Sequence, residues 1–103
     1  MRKEWLEWYV WNKIRMRVII ERERNKITDF VVQLEINDNG WKEAVRYNFA
    51  HGKPHRDLIH KDGKKEKVWL GDKELAEILT YAEIDIKTNW KRYLKECGWL
   101  EIE

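Results

Sequence analysis

The chain has 103 residues, with 21 basic and 19 acidic side chains for a formal charge of +2; 43% of residues are apolar and 39% charged. That is the size of one domain with one core, and so small a net charge excludes a general nucleic-acid binder with a strongly basic stripe. Serine is absent, which excludes a serine nucleophile, and a lone cysteine, Cys97, excludes an intramolecular disulfide.

The first dozen residues are crowded with Trp5, Leu6, Trp8, Tyr9, Val10 and Trp11 and do not alternate. The spacing predicts a short N-terminal helix, apolar nearly all round, which must be covered on more than one side. Ile14, Met16, Val18 and Ile20 then alternate with Arg15, Arg17 and Glu21, the pattern of a half-buried strand. After a charged turn over 22–26, Phe30, Val32, Leu34 and Ile36 form the apolar face of a second strand, with Gln33 and Glu35 opposite. Asn37-Asp38-Asn39-Gly40 is a turn, because Asn and Gly tolerate positive φ. A third strand carries Trp41, Val45, Tyr47 and Phe49 on its expected core face, with Lys42, Arg46 and Asn48 opposite. Gly52 and Pro54 predict a loop over 50–56. Leu58-Ile59 and Val68-Trp69-Leu70 are short strands around a turn at Asp62-Gly63. Asp72 is the expected N-cap of a long helix with Glu74 and Glu77 in its first turn. Leu75, Ile78, Leu79, Ala82, Ile86, Trp90 and Tyr93 make its apolar stripe, and Gly98 its C-cap. Tyr81 and Ile84 fall off that stripe.

The expected fold is α+β: one domain over 1–103, an antiparallel meander of about five strands with the C-terminal helix packed on one face. No apolar run reaches membrane-spanning length, and the first residues are polar and acidic too early for a signal peptide. With one free cysteine, a cytoplasmic protein is expected. Lys and Glu dominate the surface and amides are scarce, a bias that resembles proteins from very hot environments.

All three histidines, His51, His55 and His60, fall in one short stretch around the Gly/Pro loop. Loops held by a rigid sheet often carry function, and imidazole titrates near neutrality. Three readings fit. His51, His55 and Asp57, with His60, could ligate zinc, although Gly52 and Pro54 forbid the helix that a His-x-x-x-His metal motif needs. Alternatively His51 and His55 act as general acid and base on a phosphodiester, with Asp57 beside them and Arg56 or Lys53 stabilising the developing charge, while Arg46, Tyr47 and His60 contact the substrate. No cofactor is needed for that chemistry. In the third reading the histidines cap strand ends and the charges form surface ion pairs. The tryptophans have the same duality: rings beside basic groups can stack bases, but they also pack cores and subunit interfaces. Trp69 is the ring expected to be exposed.

Residues 46–70, containing Arg46-Tyr47-Asn48-Phe49-Ala50-His51-Gly52-Lys53-Pro54-His55-Arg56-Asp57 and ending in Trp69-Leu70, resemble a family of small uncharacterised prokaryotic proteins. The core of that family is similar to Arg-Tyr-Asp-x-Ala-His-Gly-x-Pro-His-Arg-Asp, and Asn48 stands where it has Asp. The family brings no known activity. A shorter stretch, 46–60, is similar to small toxins of prokaryotic toxin–antitoxin pairs, which implies a nucleic-acid-directed role. The leading expectation is an RNA- or phosphate-directed protein, toxin-like, acting through His51, His55 and Arg56. The competing one is a non-catalytic module that forms a homo-oligomer, or meets a protein partner, through its N-terminal tryptophans and the Tyr81/Ile84 side of its helix.

Overall fold

The computed structural model describes residues 1–49 and 52–101. Six strands and a helix follow in chain order: β1 (Arg2–Val10), β2 (Ile14–Glu23), β3 (Lys26–Asn37), β4 (Trp41–Asn48), β5 (His55–Ile59), β6 (Lys65–Trp69) and α1 (Leu75–Glu96). Each strand pairs with the next, so the sheet order is β1-β2-β3-β4-β5-β6, antiparallel throughout. This is the expected α+β meander with a C-terminal helix on one face.

The turns explain the connectivity. Glu23 pairs with Lys26 across a two-residue loop, and both loop residues, Arg24 and Asn25, have positive φ. That geometry follows the twist of a two-stranded hairpin. At the next turn Asn39 and Gly40 take positive φ, and the Asn37 side chain accepts the Gly40 N–H at 3.2 Å.

The core forms where the period-two pattern of the strands meets the helical stripe. Ile14, Met16, Val18 and Ile20 lie opposite Ile36, Leu34, Val32 and Phe30, and all are buried. Val45 and Tyr47 continue that face on β4. Ile78, Leu79, Ala82, Ile86, Tyr93 and Leu94 of α1 cover it, packing mainly over β3 and β4. Among the described residues nothing forms a second layer on the opposite side of the sheet, its open face. Among the described residues, no helix is long and apolar enough to cross a membrane.

Four local expectations are corrected. The N-terminal stretch is strand β1, not a helix: Arg2 to Trp8 run in unbroken register with β2. Its periodicity is hidden because large apolar residues occupy both faces and a bulge interrupts the register between Trp8 and Val10; Tyr9 stacks on Trp90 of α1 at 5.3 Å. Trp41 is not core-facing. A bulge places Leu34 opposite Val45 but Glu35 opposite Glu43, which shifts Trp41 by one residue onto the open face. Strand β5 begins at His55, inside the stretch expected to be loop. Finally, α1 starts at Leu75 with Glu74 at the N-cap and no side-chain cap bond, so Asp72 does not cap it.

Gly98 does end the helix, with φ of 81°. The Trp99 N–H reaches the Leu94 carbonyl and the Gly98 N–H the Lys95 carbonyl, which is the Schellman closure. This end is latched to the sheet. The Lys61 N–H donates to the buried Cys97 carbonyl at 2.9 Å, and Trp99 Nε1–H donates to the Ile59 carbonyl at 2.8 Å.

Candidate functional site

Successive residues of a strand point to opposite faces. This divides the residues singled out by the sequence. His55 lies opposite Asn48 and Trp69, and Asp57 opposite Arg46 and Lys67; these belong to the open face. Arg56 lies opposite Tyr47 and Val68, on the helix side. Lys53 is exposed ahead of β5. His60 sits at the β5–β6 turn, with Nε2 at 2.8 Å from Glu66 Oε2. His51 lies outside the described residues.

On the open face His55 and Asp57 form a close pair. His55 Nδ1–H donates to the Lys53 carbonyl at 3.3 Å, and Nε2 is 3.5 Å from Asp57 Oδ2. The imidazole and the Trp69 ring meet edge to face, with ring centres 5.4 Å apart. His55 is only 3% exposed and Asp57 8%, so neither offers a free proton-transfer group to a ligand. Asp57 Oδ1 is buried with no hydrogen-bond partner among the described residues. Lys67 reaches over the Trp69 ring at 5.4 Å. Arg46 is directed away, to Gln33 Oε1 at 3.1 Å and Glu43 Oε1 at 3.0 Å.

The rest of the open face is a charged and aromatic lattice. Glu35 accepts from Arg15, Arg17 and Gln33, and Arg17 also reaches Glu4. Burial alone would raise the Glu35 pKa; the Gln33, Arg15 and Arg17 donors outweigh it and hold the carboxyl below the ordinary glutamate value. The Arg15 guanidinium stacks 3.6 Å from the Trp41 ring centre and 5.4 Å from Trp8, whose rings meet edge to face at 5.7 Å.

Under α1 lies a polar cluster that sequence reading missed. Asp85 Oδ2 accepts from both Tyr47 and Tyr93 hydroxyls at 2.6 Å, and Asn89 donates to Oδ1 at 2.7 Å. Arg56 Nη1 donates to the Tyr93 hydroxyl at 3.2 Å, while its buried Nε has no hydrogen-bond partner among the described residues. Burial opposes the Arg56 charge, but Tyr93, Tyr47 and Asp85 outweigh it and raise its pKa. Burial, then the hydrogen bond to Asp85, pushes Tyr93 up to about 12 and moves Tyr47 in the same direction. The signal was present: Asp85 is a carboxylate between Ala82 and Ile86, inside the apolar stripe. Tyr47, Asp85 and Tyr93, at the centre of the cluster, are buried. The open cleft of about 480 Å³ nearby is lined by Trp69, Leu70, Lys73, Glu77, Ile78 and Tyr81, none of them cluster members. Among the described residues, no group of three His, Cys, Asp or Glu side chains is placed to hold a metal ion.

A family model described as a domain of unknown function, DUF7718, matches residues 1–97. The chain belongs to the DUF7718 family. No curated protein and no solved structure matches it. The match takes in all six strands and the whole of α1, so both faces of the sheet are parts of the DUF7718 domain.

Proposed function

We propose that this DUF7718 domain binds single-stranded RNA across the open face of its sheet, without cleaving it. The observation that carries the reading is the pairing of rings with cations at opposite corners of one uncovered face: Trp8 and Trp41 with Arg15, and Trp69 with Lys67. Sheets that hold single strands stack bases on aromatic rings and meet the phosphates with neighbouring cations. From strand rise and spacing the corners are roughly 25 Å apart, a span of several nucleotides. Arg15, Arg17 and Arg46 are already engaged by Glu35, Glu4, Glu43 and Gln33. Among the described residues Lys53, Lys65 and Lys67 have no carboxylate partner, so the phosphate contacts fall at the β6 end. Binding is favoured over catalysis because a ligand on one side of the sheet meets His55 or Arg56 but not both, and His55 is covered by Trp69.

The test is fluorescence anisotropy of a short labelled single-stranded RNA of mixed sequence, titrated at low and moderate salt. Trp69→Ala is expected to weaken binding about tenfold, the loss of roughly one stacked base. Lys65→Glu with Lys67→Glu should also flatten the salt dependence. Absence of binding at low salt sinks the proposal, as does binding indifferent to these substitutions.

A further inference from the structure

The two edges of the sheet are β1 and β6, and they differ in what they can pair with. Met1 and Arg22 exchange both backbone hydrogen bonds. By antiparallel alternation Lys3, Trp5 and Glu7 also direct their backbone groups to β2, while Arg2, Glu4, Leu6 and Trp8 direct theirs to the open edge. The uninterrupted stretch ends at Trp8, where the bulge begins. It is therefore an edge of seven residues centred on Trp5, with Trp5 39% and Leu6 37% exposed. Long edges with exposed apolar residues pair with other strands unless they are blocked.

We infer that two copies of this chain join β1 to β1 antiparallel about a two-fold axis at Trp5, making one continuous sheet. The full overlap of Arg2 to Trp8 on itself sets Trp5 against Trp5, Lys3 against Glu7, Glu4 against Leu6 and Arg2 against Trp8. Residues facing each other then lie on the same face. Lys3, Trp5 and Glu7 share the α1 side, as the Glu7–Lys87 contact at 3.3 Å shows. The residues with outward backbone groups, Glu4 with Leu6 and Arg2 with Trp8, fall in hydrogen-bonded pairs. The Trp5 and Lys3–Glu7 pairs fall between them, where side chains approach most closely. Lys3 has no partner within its own chain among the described residues, and this register gives it the carboxylate of the second copy. The same operation on the full length of β6 (Lys65–Trp69) sets Lys67 against Lys67, which is unfavourable. Self-pairing is thus specific to β1. The seam shares Trp8 with the RNA proposal, but its test does not, because Lys3 is on the other face from Trp8, Trp41 and Trp69.

The experiment is sedimentation equilibrium on the full chain and charge-swapped variants, each checked for native far-ultraviolet circular dichroism. The wild type is expected at twice the 12.7 kDa chain mass. Lys3→Glu, which sets Glu against Glu7, should weaken the dimer by tenfold or more. Lys3→Glu with Glu7→Lys should restore it. Leu6→Pro, which removes an outward N–H and no hydrogen bond to β2, should give a monomer and covers the case in which the Glu7 change disturbs folding. A wild type that stays monomeric at high micromolar concentration overturns the inference. So does a dimer untouched by Lys3→Glu or Leu6→Pro, or a folded double variant that stays monomeric.

Discussion

Asp85 is the residue on which the helix and the sheet agree. Its carboxylate takes hydrogen bonds from Tyr47 on β4 and from Tyr93 and Asn89 on α1, with Arg56 close behind Tyr93. Replacing it with alanine leaves the Tyr47 and Tyr93 hydroxyls buried without their acceptor and takes a carboxylate charge from beside Arg56. Asp85→Ala is therefore expected to cost about 3 kcal/mol in urea denaturation, with an unchanged slope. The tyrosines also tie stability to alkaline pH. Tyr93 is raised from 10.0 to about 12, so between those values the unfolded chain releases a proton that the folded chain keeps. The contribution is full below pH 10 and is lost as pH rises through 12. Thermal melting across that range should show the fall, and Tyr93→Phe should flatten it. None of this was visible from residues 46–57 alone, because the partner carboxylate is far away in sequence.

At the scale of elements, legibility followed periodicity. β2, β3 and the body of α1 were plain because each has one apolar face, and Ile14 to Ile20 or Ile78 to Tyr93 mark it without ambiguity. β1 was not, since an edge strand can carry Trp5 on one face and Leu6 and Trp8 on the other. The side of the sheet on which Trp41 falls depends on a bulge that only the pairing with β3 defines. The described part of the candidate site falls on two faces for a related reason. Pro54 and Gly52 signal a loop, but pairing with β4 and β6 extends the strand back to His55, and alternation then separates His55 and Asp57 from Arg56. The helix C-terminus was legible, and its glycine is testable. At φ of 81° a Cβ on Gly98 meets nothing closer than Lys61 Cβ at 3.9 Å. Gly98→Ala should thus cost only backbone strain, about 1 kcal/mol, read as a lower urea midpoint. Gly98→Asn should cost less.

The whole molecule is longer than its mass requires. Its radius of gyration is 13.7 Å and its long axis 46 Å, against about 12.8 Å for a compact chain of this size. The excess comes from strands of 10 and 12 residues in β2 and β3, which outrun the helix and leave a face clothed only by long side chains. Arginine stems and tryptophan rings can cover a sheet in this way while keeping charge at the surface. The latch at the end of α1 gives a means of timing how this thin assembly opens. Cys97 is 2% exposed, and burial, with Glu66 and Glu96 nearby, raises its thiol pKa. An alkylating reagent can reach that sulfur only in molecules whose helix end has lifted from the β5–β6 turn, so its rate of modification counts openings, not collisions. Modification of the native protein should be far slower than of the urea-unfolded chain. Gly98→Ala should quicken it about fivefold, the factor that corresponds to 1 kcal/mol. An equal rate in the two proteins would show that the sulfur is exposed by some other movement than release of the latch.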